Sequence, residues 1–277
     1  MFWQTSRQKL LLDQPLVMAI LNVTPDSFSD GGEFLSADAA LKKAEKLINE
    51  GADIIDIGGE STRPGSLPVS VEDEIGRVVT VIEAIAKRFN TPVSIDTTKS
   101  EVASRAIDAG AEIINDISGL RFDRRIAEVA ASVGAGLILM NSRGPFEAMH
   151  RQPPVDDIFA EVSTDLHRAV DLAKMCGVRD EQIVLDVGIG FGKTQEQNLE
   201  LLAKLDKIVD EFKVYPMMVG TSRKSFIGKV LGGVPAYERL GGSIATAVIA
   251  TQKGARILRV HDVRETVAAL NMVAEIG

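Results

Sequence analysis

The stretch Asn22-Val23-Thr24-Pro25-Asp26-Ser27-Phe28-Ser29-Asp30-Gly31-Gly32 sets two carboxylates, three hydroxyls and one aromatic ring after the apolar run Leu16-Val17-Met18-Ala19-Ile20-Leu21. The run reads as a buried strand. A strand that ends in Asn and opens into a polar loop carries hydrogen-bonding groups to a rim where a ligand can be held. Pro, Asp, Ser and Gly are also ordinary turn formers. Alone, the segment fits a surface turn as well as it fits a site.

Two further kinds of polar group stand after apolar runs elsewhere. Asp96, Asn115 and Asp186 are rich in acceptors and suit a flat heterocycle with adjacent N–H donors. A carboxylate takes two such donors at once, and a carboxamide matches a mixed donor–acceptor edge. Arg63, Arg223, Lys224, Arg259 and His261 are cationic. With Asn22 they suit a phosphate-bearing leaving group, which needs charge-assisted hydrogen bonds and often a divalent metal. Ser222-Arg223-Lys224-Ser225 opens a helical stretch, whose first N–H groups favour an anion. Any one of these cations taken singly is more often a solvated surface charge.

A weak internal repeat shows what must position them. Gly51-Ala52-Asp53-Ile54-Ile55-Asp56, Gly110-Ala111-Glu112-Ile113-Ile114-Asn115, Gly134-Ala135-Gly136-Leu137-Ile138-Leu139 and Gly254-Ala255-Arg256-Ile257-Leu258-Arg259 share one pattern. In each, a helix stops at Gly and a short apolar strand begins within a few residues. Ala37, Ala40, Leu41, Ala44, Leu47 and Ile48 form the stripe of one such helix, with Ser36 as its expected N-cap and Gly51 as its stop. Residues 16–22, 93–96, 183–186 and 215–220 complete a set of eight strands separated by helical patterns.

Eight β-then-α units in a chain of 277 residues give the arithmetic of a single (β/α)8 TIM barrel. An open doubly wound sheet is disfavoured because no Gly-x-Gly-x-x-Gly turn follows the first strand. Residues 1–15 precede the barrel and are expected to cap its bottom, and the whole chain is read as one domain. Active sites of this fold lie at the C-terminal ends of the strands. Those ends carry Asn22, Asp56, Asp96, Asn115, Asn141, Asp186, Gly220, Arg259 and His261, nearly all polar. Each buried polar group left unpaired costs about 1–3 kcal/mol, so their convergence favours a site. Asp56 has the strongest structural alternative, holding the Gly58-Gly59-Glu60 turn that follows it.

Bulk properties narrow the class. With 31 basic against 39 acidic residues the net charge is −8, which argues against a general nucleic-acid or membrane surface. Cys176 is the single cysteine, so there is no disulfide framework, and a cytoplasmic location is expected. His150, His167 and His261 lack zinc-ligand spacing. No apolar run is long enough to span a bilayer.

Six ordered motifs then carry a resemblance. Residues 22–32, Gly58-Gly59-Glu60-Ser61-Thr62-Arg63-Pro64-Gly65, Asn115-Asp116-Ile117, Gly190-Phe191-Gly192-Lys193, Ser222-Arg223-Lys224-Ser225 and Arg259-Val260-His261-Asp262-Val263 together resemble the bacterial dihydropteroate synthase family, from about Leu16 to the C-terminus. The resemblance implies a pterin-binding TIM barrel that is usually a homodimer and uses Mg²⁺. It implies joining of 6-hydroxymethyl-7,8-dihydropterin diphosphate to p-aminobenzoate, with sulfonamides as inhibitors.

Site residues follow from the same match. Asp186 is expected to accept the pterin N3–H and exocyclic amine, with Asn115 on the neighbouring edge and Asp96 on the far side. Lys224 is expected at the oxo/N5 edge, and Ile117, Met140, Phe191 and Gly220 around the ring. Asn22, Thr62, Arg63, Arg259 and His261 would hold the pyrophosphate, with Asn22 as the metal ligand. Loops 22–32 and 60–65 would close and form the p-aminobenzoate pocket from Phe28, Thr62, Arg63, Pro64, Phe191 and Ser225. Asp96, Asp186 and Lys224 would act in the reaction, and Asp30 would organise the closed state.

Two positions depart from the family pattern. Asn141 stands where the family commonly has His, which removes a group able to carry charge, and Val187 replaces a stiff Pro after the sixth strand. A pterin-dependent methyltransferase shares the ring-reading groups, but has no reason to combine residues 222–225 with the Thr62-Arg63-Pro64 loop. A non-catalytic pterin-binding paralogue could lose Arg259, His261 or Phe28, and all three are present.

Overall fold

The computed structural model describes residues 1–24, 33–61, 66–150 and 152–276. Eight parallel strands close into a barrel: β3 (Leu16–Asn22), β4 (Ile54–Gly58), β5 (Val93–Asp96), β6 (Ile113–Asp116), β7 (Gly136–Met140), β8 (Ile183–Asp186), β9 (Met217–Val219) and β10 (Ile257–Val260). They pair in chain order, and β10 closes the ring by pairing with both β9 and β3. Outside them run α1 (Glu33–Asn49), α2 (Val71–Arg88), α3 (Ser100–Ala109), α4 (Arg125–Val133), α5 (Ile158–Met175), α6 (Gln195–Ala203), α7 (Leu205–Glu211), α8 (Ser225–Val230), α9 (Leu240–Gln252) and α10 (Val263–Ile276). No helix among the described residues is long and apolar enough to cross a membrane.

The glycine stops of the repeat are real. Gly110 and Gly134 end α3 and α4 in the left-handed conformation, and each returns its N–H to a carbonyl of the last helical turn. Ser36 is a correction. The first α/β helix begins at Glu33, so Ser36 lies within it and is not its N-cap.

Strand alternation divides the apolar residues into two sets. Ala19, Leu21, Ile55, Ile57, Ile95, Ile114, Leu137, Leu139, Leu185 and Val219 face outward and pack on the helices in the main core. Met18, Ile54, Ile113, Ile138, Val184, Met218 and Ile257 face inward and form a separate floor with Trp3 and Leu12. Trp3 comes from β1 (Phe2–Gln4), which pairs antiparallel with β2 (Lys9–Leu11). This hairpin caps the barrel bottom. Trp3 is fully buried and donates its Nε1–H to the Gln182 carbonyl at 2.8 Å. Gly136 lets the indole approach, because a Cβ there would meet Trp3 Cζ2 at 2.9 Å.

Candidate active site

Above the floor, the same alternation turns polar groups inward. Two residues beyond Met18, Ile54 and Val184 stand Ile20, Asp56 and Asp186, and Asn22 and Gly58 follow at the ends of β3 and β4. Asp96, Asn115 and Arg259 continue this set on β5, β6 and β10. The strand-end residues singled out from sequence are therefore gathered over one end of the barrel.

Arg259 is the centre of a charge network. Its Nε donates to Asp56 Oδ2 at 2.6 Å and its Nη2 to Asp96 Oδ2 at 2.6 Å. Asn115 Nδ2 donates to the same Asp56 oxygen at 3.2 Å. Asp56 thus belongs to the site and does not serve the turn after β4, whose Gly59 carbonyl is held instead by Arg77 Nη1 at 2.7 Å. Burial works against the Arg259 charge, but Asp56 and Asp96 outweigh it and raise its pKa. Burial raises the Asp96 carboxyl to about 7, opposed by Arg259 and reinforced by the negative charge of Asp56. Among the described residues, Asp56 Oδ1, Ser94 Oγ and Asn115 Oδ1 are buried with no hydrogen-bond partner. These are groups a polar ligand or water can satisfy.

Across the barrel, Asp186 is buried and accepts the Gly188 N–H at 2.7 Å. Burial raises its pKa, chiefly opposed by Lys224. Lys224 donates to the Ile189 carbonyl, and its Nζ lies 4.7 Å from the Phe191 ring centroid. Burial lowers its pKa to about 8, against the pull of Asp186. Gly220 lies beside both cations, since a Cβ there would stand 3.6 Å from Arg259 Cβ and 3.9 Å from Lys224 Nζ. Phe191, Ile117 and Met140 meet in one small apolar cluster with Met149, against which Phe146 packs. Sequence reasoning named the first three and missed Met149 and Phe146. They lie in a segment with Pro145 and the Pro153-Pro154 pair nearby and no helical or strand period to mark them as inward-facing.

Asn141 is fully buried and is held by a neighbouring lysine. Lys193 Nζ donates to Asn141 Oδ1 at 2.6 Å, to the Gly188 carbonyl at 2.9 Å and to the Phe191 carbonyl at 3.2 Å. Burial lowers the Lys193 pKa to about 7, with Asp186 opposing. Asn141 Nδ2 in turn donates to Asp165 Oδ2 at 3.0 Å. Gly188 makes this loop possible: with φ at +67°, its backbone passes where a Cβ would strike the Asn141 carbonyl oxygen at 1.8 Å. Val187 is simply packed in the outer core.

At the β9 and β10 ends, Ser222 Oγ accepts from the His261 N–H at 3.1 Å and lies 3.1 Å from its Nδ1. Arg223 departs from the sequence expectation of an anion-binding cation. Its guanidinium makes a two-point pair with Asp262, with Nε 3.0 Å from Oδ2, and ties the two loops together. Ser225 is exposed at the start of α8. Phe28, Asp30, Thr62, Arg63 and Pro64 lie outside the described residues.

Mg²⁺ takes oxygen ligands, keeps several waters and is often held by one or two protein groups plus substrate phosphates. Asn22 offers a hard carboxamide oxygen here. A Cβ at Gly58 would sit 3.5 Å from Asn22 Oδ1 and 3.8 Å from Asp96 Oδ2, so the glycine keeps open the space these oxygens share. Among the described residues no three His, Cys, Asp or Glu cluster as a metal cage. That donor set fits a cation bound largely through substrate.

Residues 18–261 match the model of the family described as pterin binding enzyme. The chain belongs to that family. It is 49% identical to the dihydropteroate synthase of Escherichia coli strain K12 over 95% of this chain and 92% of the relative. The crystal structure of the Yersinia pestis dihydropteroate synthase with a sulfonamide drug complex superposes with a TM-score of 0.92 at 43% identity, covering 100% of this chain and 99% of that one. The Xanthomonas albilineans dihydropteroate synthase with 4-aminobenzoic acid matches at TM-score 0.92 and 40% identity, covering 100% and 98%. The family relation extends over the whole barrel, including every inward-facing residue described above.

Proposed function

We propose that this chain condenses 6-hydroxymethyl-7,8-dihydropterin diphosphate with p-aminobenzoate, giving 7,8-dihydropteroate and pyrophosphate. The observation that supports this reading is the convergence of three acceptor side chains, Asp96, Asn115 and Asp186, with two half-buried cations, Lys224 and Arg259, over one end of the barrel. A pterin ring offers adjacent N–H donors to the first set and an oxo group to Lys224. The diphosphate needs the second set.

The reaction is a substitution at the methylene carbon. The C–O bond to diphosphate breaks first, its electron pair leaves with the phosphate, and the ring carries the positive charge. The p-aminobenzoate nitrogen then forms the C–N bond and its proton passes to solvent. Such a step needs charge stabilisation aimed at ring and leaving group more than a strong base. Asp96 and Asp186 supply negative potential at the ring. Arg259 and His261, with Thr62 and Arg63, would take the departing diphosphate. The Phe191 face, with Phe28, Pro64 and Ser225, receives the aromatic amine. Mg²⁺, held through Asn22 and the diphosphate oxygens, would neutralise charge on the leaving group.

A homodimer fits the outer surface. On α9 only Ser243, Ala247 and Ala250 are buried, while Leu240 and Ile249 on α9 and Met272 on α10 are exposed. Light scattering of the purified protein tests this. A reducing cytoplasm suits the free thiol of Cys176. The activity is tested by incubating the protein with both substrates and Mg²⁺. Pyrophosphate and dihydropteroate should form in equal amounts. Pterin binding without pyrophosphate release would instead identify a non-catalytic binder.

A further inference from the structure

Asp56 is fully buried, and one of its oxygens receives both Arg259 Nε, at 2.6 Å, and Asn115 Nδ2, at 3.2 Å. An ionised carboxylate only accepts hydrogen bonds. The Asn115 carboxamide must therefore turn its nitrogen toward Asp56, which fixes an orientation that crystallographic density alone rarely distinguishes. Its oxygen, Asn115 Oδ1, is buried without a partner among the described residues. A ligand on this edge meets an acceptor, Oδ1, beside the second hydrogen of Nδ2.

We infer that Asp56 makes the site specific for a 2-amino-4-oxo pyrimidine edge over a 2,4-dioxo edge, by locking the Asn115 carboxamide. This rests on the pterin reading above. A 2-amino-4-oxo ring presents an amine donor beside the N1 acceptor. A 2,4-dioxo ring presents a carbonyl acceptor beside an N1–H donor, the reverse order. An unrestrained carboxamide can rotate to suit either. Held by Asp56, it suits only the first, and the wrong ring leaves buried groups facing like groups. Asp186 contributes to the same choice by accepting from the exocyclic amine. Asp56 touches no substrate atom in this scheme and is a positioning residue.

The test is the ratio of affinities for 6-hydroxymethylpterin and its 2,4-dioxo counterpart, measured by calorimetry on the intact protein. The wild type should favour the 2-amino ring by at least about 100-fold. Asp56→Ala should reduce that ratio about tenfold, while Asp56→Asn, whose carbonyl still accepts from Asn115, should keep it within about twofold. In combination with Asn115→Ala, Asp56→Ala should lower the ratio no further. An unchanged ratio in Asp56→Ala, or an equal loss in both Asp56 variants, would overturn the inference while leaving the pterin reading intact. Absence of wild-type binding to either ring would overturn both. Should Asp56→Ala fail to fold, the side-chain amide of Asn115 in the wild type decides by NMR. One set of resonances supports the lock, and two exchanging sets refute it.

Discussion

Arg259 on β10 reaches past β3 and β4 to place its Nη2 2.6 Å from Asp96 Oδ2 on β5. The guanidinium bridges Asp96 and Asp56 and so offsets the repulsion between two inward carboxylates. Removing one partner of a buried pair commonly costs about 3–5 kcal/mol. Arg259→Met is therefore expected to lower the melting temperature by roughly 10 °C. It should also lower kcat by at least about 100-fold, the scale of a lost charge-stabilising donor. Calorimetric melting and steady-state kinetics on the same preparation check both. Normal turnover in this variant would remove Arg259 from the reaction.

The pH dependence follows from two groups whose pKa values desolvation shifts. Asp96 must be ionised to stabilise a positive ring, and its pKa of about 7 makes activity rise as pH increases through that value. Lys224 must be protonated to meet the oxo edge, and its pKa of about 8 makes activity fall as pH increases beyond it. The profile of kcat/KM should be a narrow bell with its maximum between the two. Lys224→Arg should remove the alkaline limb, because a guanidinium stays charged throughout.

Asp186→Ala should abolish measurable pterin binding. The carboxylate is the acceptor proposed for two ring donors, and a polar site left unpaired discriminates strongly. Titration calorimetry with 6-hydroxymethylpterin provides the measurement. Affinity within threefold of wild type would mean the ring lies elsewhere.

Lys193→Met should loosen the loop that places Phe191. The ammonium holds the Asn141 oxygen and the Gly188 and Phe191 carbonyls together, and methionine keeps the length without the donors. The KM for p-aminobenzoate should rise about tenfold, with pterin affinity changed much less. Equal losses for both ligands would show that Lys193 supports Asp186 instead.

Trp3→Ala should separate stability from chemistry. The indole fills the floor at the end of the barrel opposite the site, and such truncations cost about 3–5 kcal/mol. The melting temperature should fall by roughly 10 °C while kcat/KM at 25 °C stays within twofold. A large kinetic defect would mean that the floor shapes the roof.

The barrel is legible because eight short apolar runs recur, four of them behind a shared glycine helix stop, and the last residue of each run then names a candidate. Asp96, Asn115 and Asp186 follow from that rule alone. Asp56 keeps two readings open in the sequence because its nearest neighbour there is a glycine turn, whereas its partner Arg259 lies 203 positions away and arrives only when the barrel closes. Arg223 was read as an anion ligand for the converse reason. Asp262, which occupies it, is brought near by the pairing of β9 with β10. The partners of Lys193 are hidden likewise, because Asn141, whose Oδ1 it holds, lies 52 positions earlier.

The cation that reconciles Asp56 with Asp96 is carried by the last strand made. During synthesis both carboxylates leave the ribosome long before Arg259 does, and the strand that bears Arg259 is also the one that closes the ring. Assembly of the barrel and charge neutralisation of its roof are consequently one event. A chain ending before residue 257 lacks both the strand that closes the sheet and the cation that partners these carboxylates.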